Sequence, residues 1–204
     1  RCVNLECTDP AGVDEIPGVE TCVNPDDLTI ELTVCQPLTP QQWGQGYVSN
    51  PADHSQYCYG ADGSGILIGN LDTPAEVSLP EFGGRATKIF DPDPVPNTQF
   101  HGTWTLALCG GVTYGMAKGA TLVNLAGFTG GGTATVDRLN AGFAAFADYV
   151  EANPQFNGYV LSCSFGASGP VVLAPDPFKA NIDRLVALGV WIFASTGNGD
   201  ANGN

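Results

Sequence analysis

Residues Phe100–Leu125 read FHGTWTLALCGGVTYGMAKGATLVNL, and how this stretch is divided decides the fold. The apolar run from His101 predicts a short buried helix, Gly110-Gly111 ends it, and Ala120–Leu125 predicts a buried strand. One of only two histidines in the chain opens that helix. Taken alone, a histidine there is either a helix-start residue or a proton carrier, and the structural role is the commoner one.

Working outward, Ile66–Leu71 (ILIGNL) predicts a second buried strand, ending at Asp72-Thr73. A carboxylate at the carboxyl end of a parallel strand sits where open α/β sheets place their chemistry. Downstream, Val136, Leu139, Phe143, Phe146 and Val150 recur at helical spacing, with Thr133 or Thr135 to cap the start and Pro154 to close it. Tyr159–Cys163 predicts a third strand. Phe178, Ile182, Leu185 and Val186 mark a helix ended by Gly189, and Val190–Ser195 is a fourth strand. Strands alternating with helices predict an α/β fold, a doubly wound parallel sheet. The turn Gly130-Gly131-Gly132 lacks the lysine of a phosphate cradle and the spacing of a dinucleotide fingerprint.

The chain has 204 residues, which suits one core-forming domain, and only 14% are charged. Its 27 glycines and 15 prolines predict long loops between buried elements. The net charge is −14 and the pI is near 4.1. Such a surface repels phosphates and offers no basic patch to an anionic membrane, so neither nucleic acid nor membrane is an expected partner. No apolar run reaches the roughly 18 residues of a spanning helix. The opening Arg1-Cys2-Val3-Asn4 has no apolar region behind it, which predicts a processed start.

Residues 1–41 form an acidic, cysteine-rich extension, with Leu28–Val34 as its one strand-like run, and residues 42–204 form the core portion. Seven cysteines without a Cys-x-x-Cys pair or a nearby histidine cluster predict disulfides and a secreted protein rather than a zinc site. At least two bridges are expected among Cys2, Cys7, Cys22, Cys35 and Cys58. The odd count leaves one thiol over, as Cys109 or Cys163 could be.

The wording around His101 resembles the histidine block of the subtilisin-like serine proteases (subtilases): His101-Gly102-Thr103 followed by Tyr114-Gly115-Met116-Ala117-Lys118-Gly119-Ala120. Leu71-Asp72-Thr73 with Pro80-Glu81-Phe82-Gly83-Gly84-Arg85 resembles that family's aspartate block. Ser164-Phe165-Gly166 resembles the segment that lines the cleft and pairs with a substrate strand. Thr196-Gly197-Asn198 resembles the family's Ala-Gly-Asn. The resemblance implies that Asp72 orients His101, that His101 takes a proton from a serine, and that Asn198 donates to the oxyanion. It implies a peptide or protein substrate, and it admits calcium without naming ligands. Four positions depart from the pattern: Pro74 for Gly, Leu79 for His, Trp104 for a second His, and Ala167 for Gly.

The serine block is absent. No Gly-Thr-Ser occurs, and Gly166-Ala167-Ser168-Gly169-Pro170 is not Gly-x-Ser-x-Gly. The sheet is therefore expected to be incomplete at its C-terminal side, covered by a C-terminal remainder or a partner chain. Two function classes follow: part of a serine endopeptidase whose nucleophile lies on a further segment, or a non-catalytic subtilase-like module (a pseudoenzyme) with a structural or binding role.

Overall fold

The computed structural model describes residues 34–49, 54–94, 96–166 and 176–198. In chain order the elements are β1 (Val34–Pro37), α1 (Trp43–Ser49), β2 (Gln56–Tyr59), β3 (Ile66–Asp72), β4 (Ala86–Phe90), α2 (His101–Gly110), β5 (Thr121–Ala126), α3 (Val136–Ala152), β6 (Gly158–Cys163), α4 (Lys179–Ala187) and β7 (Val190–Ala194).

Five of these strands make one sheet in the order β4-β5-β3-β6-β7, with every pair parallel. β3 is its axis. Being buried on both faces, it reads as a nearly continuous apolar run, as a central parallel strand must. Its alternation sorts the core. Leu67 and Leu71 join Val123, Leu125, Phe143, Phe146, Leu161 and Leu185 in the layer under α3 and α4. Ile68 joins Leu106, Leu122, Phe82 and Ala75 in the layer under α2. Helices thus cover both faces, the doubly wound arrangement expected from the alternating pattern. Each leucine or phenylalanine taken fully out of water here contributes roughly 1.5–3 kcal/mol.

Gly69 lies between Leu67 and Leu71 because a side chain would not fit. A Cβ there would stand 2.6 Å from Cε2 of the fully buried Phe146. The α3 start is capped as expected, with Thr135 accepting from the Arg138 amide at 3.2 Å. β4 is not among the strands expected from the sequence. It is short and at the sheet edge, and its exposed Thr87 and Lys88 break the apolar run that marked the others.

Outside the main sheet, β1 pairs antiparallel with β2, with Cys35 directly opposite Cys58, and the two are joined by a disulfide. Of the expected strand 28–34 only Val34 falls within the described residues. Cys2, Cys7 and Cys22 lie outside them. Cys109 and the buried Cys163 are free thiols. Among the described residues no helix is long and apolar enough to cross a membrane.

Candidate active site

The chain crosses from β3 to β4 and returns through β5 before reaching β6 on the far side of β3, so the carboxyl ends of β5, β3 and β6 open side by side. Open sheets bind ligands outside the carboxyl ends at such a point. A cleft of about 250 Å3 lies there, lined by Asp72, Thr73, Gln99, His101, Phe128, Gly132, Ser164, Phe165 and Gly166.

Asp72, the last residue of β3, has a side chain only 2% exposed, whereas that of His101 is 49% exposed. The imidazole Nδ1 lies 2.7 Å from Asp72 Oδ1 and 3.0 Å from Oδ2. The carboxylate also accepts from the Thr73 amide (2.6 Å, Oδ1) and the Thr105 hydroxyl (3.1 Å, Oδ2). These donors offset the cost of burying the charge. A carboxylate accepting at Nδ1 fixes the proton there and leaves Nε2 as the basic nitrogen of the neutral ring. A buried carboxylate behind a half-exposed imidazole is an arrangement for moving a proton at the ring's outer edge.

The turns on either side hold the pair in register. Thr73 Oγ1 accepts from the Gly102 amide at 2.9 Å, and Thr103 Oγ1 accepts from the Glu76 amide at 3.0 Å. Gly102 allows this approach, since a Cβ on it would meet the Thr73 carbonyl oxygen at 2.1 Å. Phe100, the residue before α2, takes a left-handed φ of 54°. Asn97 shapes the turn that leads into it. Pro74 is accommodated: its carbonyl accepts from the Asn97 side chain. Leu79 is exposed beside the short 3-10 turn Pro80–Phe82.

Of the residues singled out in the sequence, Asp72, His101, Ser164, Phe165 and Gly166 are brought around one cleft. Asn198 is exposed, four residues beyond β7, and does not line it. Its segment does run beside the cleft: Ser195 donates from its amide to Cys163 (3.1 Å) and from its hydroxyl to the Phe165 carbonyl (3.0 Å). Trp104 is 65% exposed and is not among the lining residues. Ser164 makes no hydrogen bond to the His101 ring, and Ala167 and Ser168 lie outside the described residues.

The nearby thiols are not poised as nucleophiles. Burial, with the Asp72 charge adding to it, pushes Cys163 up to about 12. Burial raises Cys109 too, partly offset by a hydrogen bond with Ser162. Among the described residues no group of three or more His, Cys, Asp or Glu gathers as a metal-binding cluster. Sequence reasoning missed Asn70, Asn97, Thr105 and Asn124. The only trace of them was polar residues interrupting apolar runs at Asn70 and Asn124, and Thr105 one helical turn after His101.

No family model matches the chain. It is 30% identical over 161 residues to subtilisin-like protease 9 of Arthroderma gypseum, covering 76% of this chain and 39% of that protein. It is also 30% identical over 185 residues to the subtilisin-like serine protease Pen c 1 of Penicillium citrinum, covering 84% of this chain and 43% of that protein. Among solved structures, a cold-adapted subtilisin-like serine proteinase superposes with a TM-score of 0.62 at 23% identity, over 76% of this chain and 56% of that one. The chain thus spans less than half the length of the curated relatives it matches. With the parallel sheet and the Asp72-to-His101 bond already in place, these similarities lead to one assignment: the chain belongs to the subtilisin-like family, as an N-terminal portion of its catalytic domain.

Proposed function

We propose that the chain is the part of a secreted serine endopeptidase that carries the proton-handling half of the machinery. The observation that carries this reading is the 2.7 Å bond from His101 Nδ1 to the buried Asp72. In the reaction, His101 Nε2 takes the proton of an attacking serine hydroxyl and returns it to the leaving amine, while Asp72 stabilises the imidazolium between the two transfers. Ser164, Phe165 and Gly166, running past the same cleft at the end of β6, offer backbone groups to an extended peptide. Asn198 is the oxyanion donor on this reading, a role worth roughly 3–4 kcal/mol of barrier in such sites.

The nucleophilic serine is assigned to a C-terminal segment. Two observations support it. The match covers only 39% and 43% of those two relatives, which leaves room for a further segment. On the outer strand β7, Trp191 and Phe193 are 67% and 60% exposed, an apolar row suited to being covered. The Cys35–Cys58 bridge supports an oxidising, extracellular setting, and the names of the relatives support a peptide or protein substrate. Residues 1–41 are taken as an extension preceding the catalytic portion.

The testing experiment is a fluorophosphonate probe, which reports a serine already activated by its histidine. Applied to native material, it should label a C-terminal segment and leave residues 1–204 unlabelled, and His101→Ala should abolish the signal. Labelling of Ser64, Ser164 or Ser168 would overturn the assignment of the nucleophile. The absence of any labelling, with peptides still bound, would favour the alternative, a non-catalytic subtilase-like module. The observation on its side is that Asn198 stands exposed and away from the cleft lining.

A further inference from the structure

We infer that Thr105 is a positioning residue for the Asp72–His101 pair, its hydroxyl aimed at Asp72 Oδ2 by a directed chain of hydrogen bonds through Asn70 and Asn124. The inference rests on the proton transfer proposed for His101.

Three acceptors compete for the single Thr105 proton: Asp72 Oδ2 at 3.1 Å, the His101 carbonyl at 3.1 Å and the Gly102 carbonyl at 3.4 Å. A threonine in a helix commonly bonds back to the carbonyl four residues earlier, here that of His101. The carboxylate is the stronger acceptor because it is charged. What completes the choice is the other side of the hydroxyl. Asn70 Nδ2 donates to Thr105 Oγ1 at 3.0 Å, and an amide nitrogen can only donate. The hydroxyl must then pass its own proton onward.

The orientation of Asn70 is itself determined. Asn124 Nδ2 donates to Asn70 Oδ1 at 3.3 Å, so the carbonyl end of Asn70 faces Asn124 and its amino end faces Thr105. Asn124 cannot flip, because its Oδ1 accepts from the Ala75 backbone amide at 2.9 Å and its Nδ2 also reaches the Thr73 carbonyl at 3.2 Å. The polarity of the whole chain is therefore set by one main-chain N–H. It runs from Ala75 to Asn124, Asn70, Thr105 and Asp72. The two asparagines are register partners in the β3–β5 ladder and both are 0% exposed, so no solvent competes for them. Two buried amides facing each other beneath the Asp72 carboxylate are costly unless bonded, and here each of their side-chain nitrogens and oxygens has a partner.

The geometry gives Asp72 a separate holder on each oxygen: the Thr73 amide on Oδ1 and the Thr105 hydroxyl on Oδ2. Without Thr105 the carboxylate can rotate about the remaining bond, and the imidazole turns with it.

The test uses the full-length, serine-bearing protein and a chromogenic peptide substrate. Thr105→Val should lower kcat about tenfold with KM nearly unchanged, the size expected for losing a hydrogen bond to a charged group. Thr105→Ser should restore it. Asn70→Leu should lose about as much as Thr105→Val, and the double variant no more than either, as for two members of one chain. A second readout needs no hydrolysis: the far-downfield Nδ1–H proton of His101 in the NMR spectrum should broaden through faster exchange in Thr105→Val and sharpen again in Thr105→Ser. If the wild type hydrolyses nothing while this resonance behaves as described, the chain stands and the protease reading falls. Full activity in Thr105→Val, a loss confined to KM, or additive losses in the double variant would overturn the inference. Should Thr105→Val not fold, Asn70→Leu carries the same two readouts.

Discussion

Asn97 bridges the two turns that carry Asp72 and His101: its Nδ2 donates to the Pro74 carbonyl, just after Asp72, while its Oδ1 accepts from the amides of Gln99 (3.2 Å) and Phe100 (3.1 Å), just before His101. One side chain thus couples the end of β3 to the start of α2. Asn97→Ala removes all three bonds and should destabilise the fold by about 1–3 kcal/mol. Denaturant unfolding measures this. An unchanged midpoint would show that water replaces the asparagine at no cost.

Gly69 and Phe146 are predicted to be energetically coupled. Gly69→Ala puts a methyl 2.6 Å from the Phe146 ring, and overpacking of this kind costs about 1–3 kcal/mol. Phe146→Leu alone creates a cavity beneath β3. In the double variant each change relieves the other, so the combined loss should be smaller than the sum of the singles. Simple additivity by calorimetry would show that the helix, not the ring, moves aside.

The thiols give a chemical prediction. Cys163 titrates near 12 in the fold against 9.0 for an ordinary thiol, so the folded state holds its proton where the unfolded chain loses it. That contribution to stability is fully present below pH 9 and is lost progressively as pH rises from 9 toward 12. Unfolding midpoints should fall over that window, and Cys163→Ala should flatten the fall. At neutral pH, alkylation of Cys109 and Cys163 should be slow until the protein is denatured. Without reduction, the denatured chain should expose no more than three of its seven thiols. Five or more would remove the second expected bridge and the secreted assignment with it.

Trp191 and Phe193 set the behaviour of residues 1–204 produced alone. With that row uncovered on an outer strand, the polypeptide should self-associate, and co-expression with a C-terminal segment should return it to a defined species. Light scattering separates the two. A monodisperse monomer would show that the row tolerates water.

The fold was legible wherever a strand is written as an apolar run, as in the buried β3 and β5, in β6 and in the outer β7, and in the apolar stripe Phe143–Phe146–Val150 of α3. β4 was not, because an edge strand with Lys88 exposed lacks that run. The β1–β2 pairing was not, because its partners meet across an intervening helix and no local turn announces them. Asp72 and His101 were legible as motif residues standing at element ends. Their supports were not. Thr105 and Asn97 act across 33 and 23 residues through the docking of α2 and its leading loop on β3, and the Asn70–Asn124 pair meets across 54 through the β3–β5 register. The local hints are Asn70, two residues before Asp72 and so on the same face of β3, Asn124 interrupting the apolar run of β5, and Thr105 one helical turn after His101.

The 29 residues that separate Asp72 from His101 also order events in time. A polypeptide emerges from the ribosome N-terminus first. The carboxylate, the imidazole and the hydroxyl beneath them are all encoded by residue 105, before β5, β6 or β7 has been made. On the proposed assignment the base is in hand while its nucleophile is still unsynthesised, and the last-made segment arms the site. On that same assignment a ribosome-bound fragment would hold the proton acceptor before the group that breaks a bond has been made.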